Sequence, residues 1–276
     1  MEKVTLEELL EAGCHFGHQV TRSNPKAREF IYEARDNIHI IDLVKTKQGL
    51  EEAAVFVKTL ASKGGSLIIV GTKRQARGIV EEEIKKAPDV FYVTNRWVGG
   101  LLTNFSEVSK NFKKLKEISD NLQNEEFKAK YTKKEIGLWE RERQKLEGLY
   151  GGVKTLTKNP DALFIIDSHL EDLAVREAMR MGVTTVAIVD TNADPNIIDY
   201  PIPANDDAVG SIKLITSYIV DAWVEGKELV EKIKEEVKET KGKKKEKATK
   251  DTKEKVVKDT KSKISLKEEA FKNKKK

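Results

Sequence analysis

Three runs of almost uninterrupted apolar residues, Leu67–Val70, Ala162–Ile166 and Thr185–Val189, constrain this chain more than any other feature. A strand whose every side chain is apolar has no face to offer to water, so it must be covered on both sides. That requirement is met by a parallel sheet enclosed between helices. Segments of helical period stand between the runs. Residues 44–62 place Leu50, Ala53, Ala54, Val57, Leu60 and Ala61 on one stripe, a second segment covers Gln75 to Lys86, and an Ala-rich one covers Leu170 to Met181. Shorter strands are predicted at Ile38–Asp42, read as buried, and at Val90–Val93. Thr5 and Glu8 form a capping box that opens a short helix ending near Gly13. Ser168 and Glu171 are expected to cap the Leu170 helix, and Asn205-Asp206 to start a last helix from Asp207 to about Glu239.

Residues 101–150 break this alternation. Phe105, Val108, Phe112, Leu115, Ile118 and Leu122 recur at near-heptad spacing, and a polar connector runs from Gln123 to Tyr131. A capping box at Thr132 and Glu135 then opens a helix carrying Ile136, Trp139, Leu146 and Leu149. Two such helices predict an antiparallel hairpin, read as a coiled-coil arm inserted into a sheet domain made of residues 1–100 and 151–240. The same seam would also suit packing flat on the sheet. Residues 241–276 hold sixteen lysines against six acids, a net +10, with almost no apolar content. They cannot bury enough surface to offset chain entropy and are expected to form a disordered basic tail.

The whole chain carries a net charge of +5, so residues 1–240 carry −5. Bulk charge therefore gives no reason to assign nucleic-acid binding to the folded part, and only local clusters can carry it. No stretch approaches the ~20 apolar residues that span a bilayer, and no signal peptide opens the chain. A single cysteine, Cys14, fits a reducing compartment, so a cytoplasmic location is expected.

Catalytic signatures are missing. Neither the Gly-x-x-x-x-Gly-Lys-Ser/Thr loop nor the Gly-x-Gly-x-x-Gly fingerprint occurs, although Gly71-Thr72-Lys73-Arg74 sits where a strand passes into a helix and would suit a phosphate. A nucleotide-dependent α/β enzyme is the weaker alternative on this count; a coiled-coil scaffold that binds protein without RNA is another. Arg22, Lys26 and Arg28 surround the Asn24-Pro25 turn, Lys73 and Arg74 crowd one helix start, and Arg96-Trp97 precedes Gly99-Gly100. With Lys110, Lys113 and Lys114 of the hairpin, these are the candidate RNA-binding residues: cations neutralise phosphates and Trp97 would stack on a base or anchor the arm's root. His15-Phe-Gly-His18 and the acids of Asp190-Thr-Asn-Ala-Asp194 and Asn205-Asp206-Asp207 suggest a further site. Strand ends of a doubly wound sheet converge, so His18, Asp190 and Asp206 are expected to meet around a structural zinc or magnesium ion. No other cofactor is required, and no small-molecule substrate is expected.

The order of several segments is specific. Ala12 to His18, Asn24-Pro25-Lys26, Ile38 to Leu43, Val70 to Lys73, Arg96 to Phe105, Pro160 to Asp167, Ile188 to Asn192 and Pro203 to Ala208 resemble the bacterial small-subunit ribosomal protein two family across about 1–225. The resemblance implies a flavodoxin-like sheet domain with a protruding helical hairpin and no enzymatic activity. It further implies a structural role in the small ribosomal subunit, binding small-subunit ribosomal RNA between head and body. Neighbouring subunit proteins are implied as partners, including the large multi-OB-fold protein one that the family helps to dock. The Lys-rich ending departs from the acidic or short ending usual in that family.

Overall fold

The computed structural model of the chain describes residues 3–230. From the N-terminus, α1 (Leu6–Glu11) leads into three short strands, β1 (Phe16–Gln19), β2 (Ile31–Arg35) and β3 (Ile38–Ile41). α2 (Leu43–Ser62), β4 (Leu67–Val70), α3 (Arg74–Glu83) and β5 (Phe91–Val93) follow. The insertion consists of α4 (Phe105–Gln123), α5 (Glu125–Lys128) and α6 (Lys133–Tyr150). The chain then returns through β6 (Ala162–Ile165), α7 (Asp172–Met181), β7 (Thr184–Val189) and β8 (Tyr200–Pro203). A last helix, α8, covers 209–230. The expected continuation of that helix to Glu239 and the Lys-rich segment 241–276 lie outside the described residues.

Strands β5-β4-β6-β7-β8 form one parallel sheet in that order. Counted along the chain this is 2-1-3-4-5, the flavodoxin-like winding, with its switch point between β4 and β6. All four residues of β4 are fully buried, and they divide by alternation. Leu67 and Ile69 join a core with α2, α3 and α8, which also takes Phe164, Val186, Ile188 and Trp223. Ile68 and Val70 join a second core on the opposite face, with Leu163, Ile165, Ala187 and residues of α4 and α7. Each such Ile, Leu or Val contributes roughly 1.5–3 kcal/mol of burial free energy, which is why runs this apolar settle only between two layers.

α4 and α6 run antiparallel: Asn111 Nδ2 donates to the Tyr150 hydroxyl at 3.3 Å, and Lys114 pairs with Glu142 nearer the tip. Val108, Phe112 and Leu115 belong to the second core, so the inner half of the pair covers the sheet. The connector expected to be irregular contains the short helix α5, capped by Asn124 through the amides of Glu126 and Phe127.

Other departures have local causes. Ile38–Ile41 is a strand, but it lies in a separate antiparallel sheet of order β1-β3-β2, and Ile38 is exposed. Asp36 and Asn37 take positive φ of 49° and 61°, a two-residue turn that lets β2 pair back on β3. β8 is easily missed because Pro201 and Pro203 lack amide donors; as an outer strand it needs them on one side only. Ser168 does not cap α7. Its hydroxyl donates to the Ile188 carbonyl at 3.1 Å, while Asp167 receives the Leu170 amide at 2.8 Å and Glu171 makes no capping bond.

α2 packs so closely on β8 that a methyl group on Gly49 would lie 2.5 Å from the Pro201 carbonyl oxygen. Gly78 of α3, by contrast, faces open space. Gly49→Ala should lower stability by about 1–3 kcal/mol, while Gly78→Ala should be neutral or stabilising by up to about 1 kcal/mol. Urea unfolding midpoints decide this, and equal midpoints for the two variants would refute the close approach.

Candidate metal centre and nucleic-acid surface

The carboxyl ends of β4, β6 and β7 bring their following residues together at the edge where an open α/β sheet holds its ligand. Lys73 follows β4, Asp167 follows β6, Asp190 follows β7, and Asp206 and Asp207 precede α8. The Lys73 ammonium lies 2.7 Å from Asp206, 2.7 Å from Asp207 and 3.1 Å from Asp167. Its side chain is only 14% exposed. Burial works against the charge, but the hydrogen bonds to Asp206 and Asp207 outweigh it and hold the Lys73 pKa above its ordinary value. Beside this network Thr72 donates to Glu171, whose burial raises its pKa.

The N-terminal segment is strapped across these strand ends. Asn205 N donates to the Cys14 carbonyl at 3.1 Å, His18 N to Thr191 Oγ1 at 2.9 Å and Asn24 N to the Thr191 carbonyl at 2.7 Å. Gly17 permits this approach, since a Cβ there would lie 2.7 Å from the Thr191 methyl. His18 Nδ1 is thereby brought 3.1 Å from Asp190 Oδ2, and its Nε2 3.5 Å from Asp207. The first contact becomes an ion pair when the imidazole is protonated, and Asp206 Oδ2 beside it is buried without a hydrogen-bond partner. The Asp190 carboxylate, opposed by partial burial, raises the His18 pKa. Burial, reinforced by the charges of Asp167 and Asp190, pushes Asp206 up to about 7.

His18, Asp190 and Asp206 each offer one ligand atom, and these atoms lie within 4.8 Å of one another. Ligands at ~2.1 Å around a tetrahedral ion lie ~3.4 Å apart, so closing on one ion would draw these atoms together by up to about 1.4 Å. His18 Nδ1 and Asp206 Oδ2, both buried without a hydrogen-bond partner, are nitrogen and oxygen donors of the kind a divalent cation takes.

The basic candidates divide into two kinds. Arg22, Arg28, Arg74, Arg96 and Lys113 are exposed and make no ion pair among the described residues. Lys26 is exposed but pairs with Asp194 at 2.6 Å; Lys110 pairs with Glu107 at 2.8 Å, and Lys114 with Glu142. Lys73 is spent inside the protein, so it is not a free phosphate ligand beside Arg74. Trp97 is also reassigned: it is 4% exposed and lies in the second core, where no base can reach its face. Glu177, which the sequence reading passed over, anchors that region. Its carboxylate accepts the amides of Gly100 at 2.7 Å, Leu102 at 3.1 Å and Thr103 at 3.2 Å. Although burial opposes it, those amides hold Glu177 below the usual carboxylate range. A glutamate on the apolar stripe of Ala174, Val175 and Ala178 was the available signal.

The sheet edge where an open α/β fold holds its ligand is occupied by the protein's own ion network, an arrangement suited to a binding or structural protein. The model of the family described as ribosomal protein S2 matches residues 9–226. The chain belongs to that family, whose members are structural components of the ribosome and not enzymes. It is 48% identical over 229 residues to the small ribosomal subunit protein uS2 of Desulfatibacillum aliphaticivorans, covering 83% of this chain and 77% of that protein. The uS2 protein of Dictyoglomus thermophilum is 47% identical over 232 residues, covering 84% and 94% respectively.

Removing Lys73 would leave Asp167, Asp206 and Asp207 facing one another. Lys73→Ala should cost on the order of 3 kcal/mol at pH 8 and less at pH 5.5, where Asp206, with its pKa near 7, is protonated. Thermal unfolding at the two pH values measures it; an unchanged midpoint at pH 8 would show that the network is not structural.

Proposed function

We propose that this chain is a structural constituent of the small ribosomal subunit in the cytoplasm. It binds small-subunit ribosomal RNA between head and body and helps to dock the large multi-OB-fold protein one. The observation that carries RNA binding is the set of exposed, unpaired arginines, Arg22, Arg28, Arg74 and Arg96, on a domain of negative net charge. Lys26, Lys110, Lys113 and Lys114 extend that surface, and the helical pair is read as a coiled-coil arm in its outer half. The names of the matched relatives support the ribosomal role.

The same reading includes a structural divalent ion, zinc or magnesium, on His18, Asp190 and Asp206. It would fasten the N-terminal strap to the sheet edge and hold the turn bearing Arg22 and Lys26. The nitrogen and oxygen donors suit either ion, and Cys14 takes no part.

Affinity for small-subunit RNA should fall with salt at a log–log slope steeper than about −3, and replacing Arg22, Arg28 and Arg74 with Ala should flatten it by about two units. Filter binding between 50 and 300 mM salt measures both; a slope near zero would remove phosphate contacts from the proposal.

For the ion, metal content of chelator-washed, reconstituted protein should drop in His18→Ala. The ion-induced rise in melting temperature should be larger at pH 8 than at pH 5.5, because His18 and Asp206 must shed protons to bind. Equal metal content in the two proteins excludes His18 as a ligand.

A further inference from the structure

The far end of the helical pair carries a feature that neither the sheet edge nor the arginine surface explains. Phe127 of α5, Tyr131 and Trp139 of α6 are mutually in contact, with ring centroids 4.7 Å, 5.1 Å and 4.5 Å apart for Phe127–Tyr131, Phe127–Trp139 and Tyr131–Trp139. They belong to neither hydrophobic core. Tyr131 remains 39% exposed, and the neighbouring Leu138 is exposed as well. Contact between the rings closes the turn, but it does not account for an aromatic side chain left partly in water.

Four lysines crowd around that side chain, among the helix-start acids Glu125, Glu126 and Glu135. Lys128, Lys130, Lys133 and Lys134 lie within seven residues, with no acid between them. All four are exposed, and none forms an ion pair among the described residues. The acids nearest in sequence are committed elsewhere. Glu125 and Glu126 occupy the first turn of α5, where the helix dipole favours them. Glu135 closes the capping box by accepting the Thr132 amide at 2.9 Å. Asn124 caps α5 and Thr132 caps α6, so the backbone carrying rings and lysines is fixed at both helix starts. Fixed cations beside an exposed ring are the combination that holds single-stranded nucleic acid: ammonium groups meet phosphates, and the ring takes the face of an unpaired base.

We infer that the tip of the helical pair is a second RNA contact, in which Tyr131 stacks on an unpaired base and Lys128, Lys130, Lys133 and Lys134 hold the flanking phosphates. The inference rests on the reading above that this chain binds RNA. It adds a site on an element remote in sequence from the arginine surface, and a class of target: a loop or single strand with a base free to stack.

The protein contains its own reporter. Of its three tryptophans, Trp97 and Trp223 are buried, and only Trp139 lies in the tip cluster. The full chain is titrated with an unstructured twelve-nucleotide RNA while tryptophan emission and a mobility shift are both followed. Saturable quenching is expected, and it should vanish in Trp139→Phe. Tyr131→Leu, which keeps apolar volume without a π face, should weaken binding about five-fold or more, whereas Tyr131→Phe should retain it. Replacing the four lysines with Gln should flatten the salt slope by about two to three units. A mobility shift with no change in Trp139 emission and no effect of Tyr131→Leu would overturn the tip contact while leaving RNA binding elsewhere intact. Equal quenching by inorganic polyphosphate would overturn stacking. Absence of any shift would overturn both the tip contact and the reading beneath it.

Discussion

Everything at the carboxyl edge of the sheet depends on one buried cation among carboxylates. Lys73 stands at the switch point, where parallel-sheet enzymes keep space for a phosphate, and joins the loops after β4 and β6 to the start of α8 through Asp167, Asp206 and Asp207. Charges this poorly solvated persist only while paired. The network therefore fixes the loop positions and fills the crevice together, and the two outcomes cannot be separated. It also explains why the sheet can resemble a nucleotide-binding fold in winding while having no use for a nucleotide.

The metal cluster shares residues with that network and is compatible with it. Lys73 engages Asp206 through Oδ1, and Oδ2 is buried without a hydrogen-bond partner. The Asp206 pKa is raised first by burial and then by the charges of Asp167 and Asp190, against the pull of Lys73.

The central sheet was legible because its strands are apolar on both faces, and such strands have few alternatives. β4, β6 and β7 lie within one residue of where hydropathy placed them. The convergence of His18, Asp190 and Asp206 followed from winding alone, across sequence distances that local patterns cannot measure. What hydropathy could not supply was partnership. Lys73 and Arg74 are adjacent cations in sequence, yet one is enclosed by three carboxylates from later segments and the other faces water. Trp97 could stack on a base or anchor the root of the arm by its sequence, and only Glu177, 80 residues on, shows the indole inside. The β1-β3-β2 sheet escaped notice because its side chains are mixed in polarity and its hairpin turn uses Asp36-Asn37 in place of a glycine.

The position of the helical insertion bears on how the chain reaches this structure. β4 and β6 are direct neighbours, but Ser66 and Asp161, which hydrogen-bond at their entry, are 95 residues apart. Pairing across so long a separation closes a large loop, which slows folding more than it costs stability. About half of that loop is α4, α5 and α6, whose contacts are local and of which α5 and α6 start on side-chain caps. Once zipped together, the helices bring the two ends of their own segment close, so the search joining β4 to β6 spans a much shorter effective chain. The arm is thus placed to serve as a folding clasp, since its local contacts can form before the middle strand of the sheet is paired.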